Sequence, residues 1–343
     1  MTHKNSIVIL CLSLFLVAFK CKEYNSVVPS YFPETVYNLK ENPLDSNKIK
    51  IGRTLFYDPI LSKDNTISCS SCHSPYNAFS HTDHDLSHGI YDSIGTRNAP
   101  ALFNLAWHSS FMWDGAINHL DMQALAPINH AGEMGETTKN VVDKLNKSSI
   151  YPVLFESAFG TKEITGELML KALTQFQLTL VSANSKYDQV KSREKFFSSK
   201  EQNGYKLFKQ NCNSCHTEPL FSSYQFANNG LPIDSTLSDY GRKRITQKTE
   251  DNMLFKIPSL RNLSYSYPYM HDGRFNKLNQ VLNHYTNGIK DSPTLSLKLK
   301  KKITFSSNEK VDLIAFLKTL DDKAFVFNPK NKFPRSILLL KKD

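Results

Sequence analysis

The sequence predicts an all-α protein assembled from two copies of one domain. Three observations carry this. No segment sustains the period-2 alternation of a half-buried strand, two stretches follow the 3.6-residue helical period, and the pentapeptide Cys-x-x-Cys-His occurs twice. At 343 residues the chain is long enough for two domains, each with its own core.

Taken in order, the N-terminus reads as an export signal over residues 1–21. Lys4 precedes an apolar run at residues 7–19, and no acidic residue occurs before Glu23. A run of about 13 residues is too short to span a bilayer. Cys21 follows it directly, in a string that loosely resembles a lipoprotein cleavage box with an atypical Lys20, so Cys21 is a candidate lipid anchor. The expected location is the periplasm, free or held at the membrane face.

The first copy opens with Gly52-Arg-Thr-Leu55-Phe56 and the second with Gly204-Tyr-Lys-Leu207-Phe208. Glycine, leucine and phenylalanine at i, i+3 and i+4 share one helical face. Ser199 and Gln202 have the spacing of a capping box ahead of the second copy.

Next come Cys69-Ser-Ser-Cys72-His73 and Cys212-Asn-Ser-Cys215-His216. A lone Cys-x-x-Cys is compatible with a redox dithiol or half a zinc site. Two copies, each followed directly by histidine, are the attachment signature of c-type haem. Two thioethers would fix each porphyrin and the adjacent imidazole would ligate its iron. The other two cysteines, Cys11 and Cys21, fall in the export segment, which leaves none for disulfides.

A longer repeat follows. Pro100-Ala-Leu102-Phe-Asn104-Leu105 and Trp113-Asp114-Gly115 match Pro258-Ser-Leu260-Arg-Asn262-Leu263 and His271-Asp272-Gly273, and Leu120 matches Leu278. The haem motifs themselves are closer together than these pairs, so the loops between motif and repeat differ in length. Residues 166–181 read as a helix with Leu170, Leu173, Phe176 and Leu180 inward. Residues 309–320 read as another, capped by Ser306 and Glu309. The polar stretch 187–199 reads as the interdomain linker. The resulting organisation is a first domain over 35–190 and a second over 196–325.

The formal charge is +10, about +8 without Lys4 and Lys20. That is a weak pointer to an acidic partner. No motif supports nucleic-acid binding.

From about residue 44 to 320 the chain resembles bacterial di-haem cytochrome c peroxidases and the related MauG-type enzymes. The strings that carry the resemblance are Arg97-Asn98-Ala99-Pro100, Trp113-Asp114-Gly115, Glu133-Met134-Gly135, Ile257-Pro258-Ser259-Leu260-Arg261-Asn262 and Pro268-Tyr269-Met270-His271-Asp272-Gly273. The resemblance implies two covalent haems with His73 and His216 as proximal ligands, and His88 as the residue capping the N-terminal iron at rest. It implies Glu133 as the acid-base group at the peroxide site, Gln123 beside it, and Trp113 between the haems. It further implies a calcium ion held by Asn98 and the carbonyls of Ser266 and Pro268. Members of the family often dimerise, and no residue here bears on that.

Over the second haem the sequence departs from the methionine-ligated peroxidases. Tyr285 falls at the methionine's position, as in MauG-type enzymes, with Met270 and His284 as alternative ligands. A phenolate stabilises oxidised iron and lowers the potential. His88 therefore points to one branch and Tyr285 to the other. The expected activity is reduction of hydrogen peroxide at the N-terminal haem. Electrons would come through the C-terminal haem from a small donor such as a cytochrome c or cupredoxin. The rivals are a MauG-like oxidase acting on a partner protein and a non-enzymatic electron carrier.

Overall fold

The computed structural model describes residues 28–339. The export signal, Cys11 and Cys21 lie outside the described residues. The described chain is mostly helical, with helices joined by long loops and 3-10 turns. Its one sheet is a pair of two-residue strands, β1 (Phe226–Ala227) antiparallel to β2 (Phe255–Lys256). Strands this short cannot display an alternation.

In the first half, α1 (Ser46–Tyr57) is capped by the Asp45 carboxylate, which accepts from the backbone N–H groups of Asn47 and Lys48. After α2 (Thr138–Lys147) and α3 (Tyr151–Phe159) comes α4 (Gly166–Leu178), the helix expected over 166–181. Helices α1 and α4 cross closely because Gly52 lacks a side chain: a Cβ there would lie 1.8 Å from the Ala172 carbonyl oxygen. Following α5 (Lys186–Lys191), the second half repeats the device with α6 (Ser199–Asn211), α7 (Leu278–Asn283) and α8 (Ser307–Leu317). A Cβ on Gly204 of α6 would lie 2.0 Å from the Asp312 carbonyl oxygen of α8.

The cap of α8 is the expected Ser306–Glu309 box. The cap of α6 is displaced by one residue from the expected Ser199–Gln202 pair. Ser198 and Glu201 form it, because the Glu201 carboxylate accepts from Ser198 N–H at 2.7 Å and also pairs with Lys186 at 2.6 Å. A charged acceptor with two partners holds the box better than the neutral Gln202 amide could.

Two aromatic cores result. The first gathers Leu55, Phe56, Phe79, Phe103 and Phe176, and the second Tyr187, Phe208, Phe221 and Phe316. Each fully buried phenylalanine contributes about 1.5–3 kcal/mol of transfer free energy. Two segments of the chain pass between them. Tyr187, at the start of the expected linker, is buried in the second core on helix α5, so only the stretch beyond that helix is a surface connection. Phe325 and Val326 return to the first core, and the tail behind them bonds to α1: Tyr57 Oη donates to Asn331 O at 2.5 Å and Arg53 Nε to Lys332 O at 2.7 Å. At the junction, buried Arg261 makes two 2.8 Å bonds to Asp188 of α5. Among the described residues no helix is long and apolar enough to cross a membrane.

Candidate functional site

Each Cys-x-x-Cys forms one tight turn that delivers the next residue. The His73 N–H donates to Cys69 O and the His216 N–H to Cys212 O, both at 2.9 Å. The imidazoles are then oriented from behind. His73 Nδ1 lies 2.9 Å from Phe79 O, and His216 Nδ1 lies 3.0 Å from Pro258 O. A backbone carbonyl on Nδ1 fixes the tautomer that leaves Nε2 free to ligate. Burial pushes both imidazoles down to about 4, which keeps them in the neutral form that a metal needs.

The thiols argue against the rival readings of the motif. Burial pushes Cys69 and Cys212 up to about 12. A redox dithiol needs the opposite shift, and among the described residues no group of three or more His, Cys, Asp or Glu side chains gathers to hold a zinc ion. Two thiols beside an imidazole whose Nε2 is left free suit covalent attachment to a porphyrin, so the residues present fit the haem.

The internal repeat is also a repeat of conformation. Left-handed backbone occurs at Phe79 and Phe221, Asn104 and Asn262, Met112 and Met270, and Gly115 and Gly273. The bridges Phe111–Ile117 and Tyr269–Phe275 match as well. Trp113 thus has His271 as its positional counterpart. The tryptophan's Nε1 donates to Asn98 O at 2.9 Å, and Asn98 N–H donates to His271 O at 2.7 Å. A large cavity is lined by Cys212, Cys215 and His216 from one side and by Trp113, Gln123 and Asn98 from the other.

Beyond the repeat the two halves differ. In the first, the Cys72 thiol donates to His88 O at 3.4 Å, and Glu133 O accepts from Ile90 N–H at 2.8 Å. Glu133 thereby sits at the first attachment site. Burial and then the Glu133 carboxylate push the Cys72 thiol up to about 11, while burial raises the Glu133 pKa itself against the opposing pull of His130. Gln123 is buried, with its Oε1 accepting from Gln177 at 3.0 Å. His88 is partly exposed. Its Nδ1 is 2.9 Å from Asp92, and its ring stacks on His84 at 4.3 Å, with His81 stacked beyond.

In the second half, helix α7 runs into a π-helical turn, His284–Gly288, which carries Tyr285 to the cavity wall that holds Cys212, Cys215 and His216. Inserted π turns recur at functional sites. Burial, reinforced by the two nearby thiols and opposed by the Asn229 side chain, pushes Tyr285 up to about 12. Of the alternative ligands, Met270 lines the same wall, 3.5 Å from Asn229 Nδ2. His284 lies outside that lining and bonds through Nε2 to Asn229 O at 3.0 Å. Carried forward, the offset of the repeat sets Tyr285 against Pro127, a side chain that cannot ligate.

These paired sites agree with the chain's relatives. The family profile described as di-haem cytochrome c peroxidase matches residues 46–195, and that of cytochrome c matches 201–321. The methylamine utilization protein MauG of Methylorubrum extorquens is 36% identical over 300 residues, covering 84% of this chain and 82% of that protein. The chain belongs to the di-haem cytochrome c peroxidase and MauG family.

Within that family the likeness is divided. The cytochrome c551 peroxidase of Nitrosomonas europaea is 33% identical over 314 residues, 86% of this chain and 87% of that protein. The crystal structure of a MauG-like protein associated with microbial copper homeostasis superposes with a TM-score of 0.81 at 30% identity, over 91% of this chain and 99% of that one.

The structure brings Asn98, Ser266 and Pro268 to the same cavity wall, oxygen donors of the kind calcium takes. The Asn98 amide itself donates to Asp85 O at 3.0 Å. Sequence reasoning missed Arg97, which joins Asp114 at 2.6 Å and Asp239 at 2.5 Å across the halves, and Lys256 in the cavity wall. Arg97 lay within a quoted motif, but its partner Asp239 belongs to no repeat. Lys256 carries no motif at all.

Proposed function

We propose that this protein is a periplasmic peroxidase that reduces hydrogen peroxide to water at the His73 haem. Electrons would arrive from an external donor through the His216 haem. The supporting observation is the asymmetry of the distal sides: Glu133 lies against the first attachment site, where the repeat sets Pro127 opposite Tyr285. The haem, when bound, supplies the iron at which the O–O bond is cleaved and the two electrons are delivered. Glu133 takes the proton from the inner peroxide oxygen and returns it to the outer one, which leaves as water. Gln123, held by Gln177, orders the distal side, and Trp113 couples the haems. His88 would cover the first site at rest and leave it on reduction or on domain rearrangement.

An acidic donor, a small cytochrome c or cupredoxin, suits the exposed lysines 298, 300, 301 and 302. Lys298 donates to Ser214 O beside the second attachment site. Calcium at Asn98, Ser266 and Pro268 belongs to the same reading. Chelation should then lower the Tm of the holoprotein, and an unmoved Tm removes the ion from it.

Tyr285 favours a second reading, a MauG-like oxidase that uses peroxide to oxidise a partner protein. One preparation separates the readings: optical and paramagnetic resonance spectra of oxidised and half-reduced protein, followed by stoichiometric peroxide. Turnover with a reduced small cytochrome is expected. Lasting oxidation of both haems in fully ferric protein without a donor would favour the oxidase. No response at either haem in any redox state would leave an electron carrier. Tyr285→Phe should alter the spectrum of one haem only, and an unaltered spectrum would move the ligand to Met270.

A further inference from the structure

Lys256 is a cation in an apolar wall, and among the described residues no carboxylate forms an ion pair with it. Among the described residues lining the large cavity it is the one lysine, arginine, aspartate or glutamate, and it shares that lining with Cys212, Cys215 and His216. Its Nζ donates to Ser110 O at 2.8 Å, stands 3.4 Å from His108 Nδ1, and lies over the Phe111 ring. All three partners are uncharged acceptors or a π face, since burial and then the lysine's own charge hold His108 far below its ordinary pKa.

The carboxylate that acts on Lys256 from further off is Asp114, and Arg97 already holds it. Burial pulls the lysine down to about 7, as expected of an ammonium without a counter-ion. A cation without a counter-ion thus stands at the edge of a space shaped for a ligand.

That ligand carries its own anions. A haem has two propionate carboxylates, and burying a carboxylate in an apolar wall requires a paired, hydrogen-bonded cation. We propose that Lys256 is the counter-ion for one propionate of the haem attached to Cys212 and Cys215.

The backbone gives this pair its reach. The Lys256 N–H donates to Trp113 O at 2.7 Å, and two residues on, the Pro258 carbonyl orients His216. Lys256 therefore positions the second haem against the loop of the first half that carries Trp113. A fixed positive charge there favours the reduced iron, since local charge is one of the terms that sets a haem potential. The inference rests on haem attachment at the second motif and is independent of which reaction the enzyme performs.

The test is a redox titration of full-length holoprotein, wild type against Lys256→Gln and Lys256→Arg, with each haem followed by its own optical bands. Lys256→Gln should lower the reduction equilibrium of the His216 haem about tenfold, 59 mV for one electron. The His73 haem should be unmoved, and Lys256→Arg should stay near wild type. An unchanged potential in Lys256→Gln, or a shift confined to the His73 haem, overturns the proposal. Resonance Raman of the wild type provides a second measurement should the glutamine variant fail to mature. The propionate-bending band of the second haem should move in deuterium oxide, and a band that stays still counts against the pair. Absence of peroxide turnover in the wild type, with the potential shift intact in the variant, would refute the peroxidase reading alone.

Discussion

The two halves of this molecule agree behind their haems and disagree in front of them. Behind, each has a helix pair crossing at a glycine, Gly52 of α1 against α4 and Gly204 of α6 against α8, and a histidine steered by a backbone carbonyl. In front, the first half presents Glu133 and the second Tyr285. The duplicated part is what any c-type haem requires of a protein. The divergent part is what one haem must do that the other must not.

The contrast can be broken most forcefully at Arg261, whose counterpart in the first half is the apolar Phe103. Burial alone would raise the Asp188 carboxyl, but the two-pronged Arg261 guanidinium prevails and holds it below its ordinary value. Arg261→Leu strands that carboxylate and should cost about 3–5 kcal/mol in denaturant unfolding. The pH profile carries a sign. In the wild type the pair contributes fully above about pH 4 and is lost as pH falls through the depressed value. The variant should instead gain stability on acidification. A cost below about 1 kcal/mol would mean that the second half does not depend on its charged core.

Next in size, Glu133→Gln should slow peroxide cleavage about 10²-fold and leave the second haem's spectrum unchanged. Unaltered turnover would erase the functional difference between the halves. Gly52→Ala and Gly204→Ala should each cost about 1–3 kcal/mol by overpacking. Similar costs support the structural equivalence, and one half tolerating the methyl group would deny it. The smallest effect concerns the helix caps. Asp45→Ala and Ser198→Ala should each cost about 1 kcal/mol, whereas Ser199→Ala should cost far less.

What the sequence disclosed was whatever is local or repeated. The haem turns need only five consecutive residues, and the Gly-Leu-Phe faces only one helical turn. The positions of Asn104 and Asn262 follow from a fixed offset, and both adopt the same left-handed backbone. What stayed hidden depends on partners distant in sequence. Ser198 rather than Ser199 caps α6 because Glu201 is also engaged by Lys186. Tyr187 sits in polar surroundings along the chain, yet it is buried because Phe221 and Phe316 close over it. Lys256 and Arg261 are ordinary surface residues by composition, and only the fold turns them inward.

The returning tail sets an order in time. Phe325 and Val326 belong to the first core, and Asn331 and Lys332 tie down α1. Domains usually complete themselves as they leave the ribosome, the N-terminal one first. Here the first core lacks two of its buried side chains until the second half has been made. Residues that follow the second half close the first, so the earlier copy in the chain is the later one to be finished.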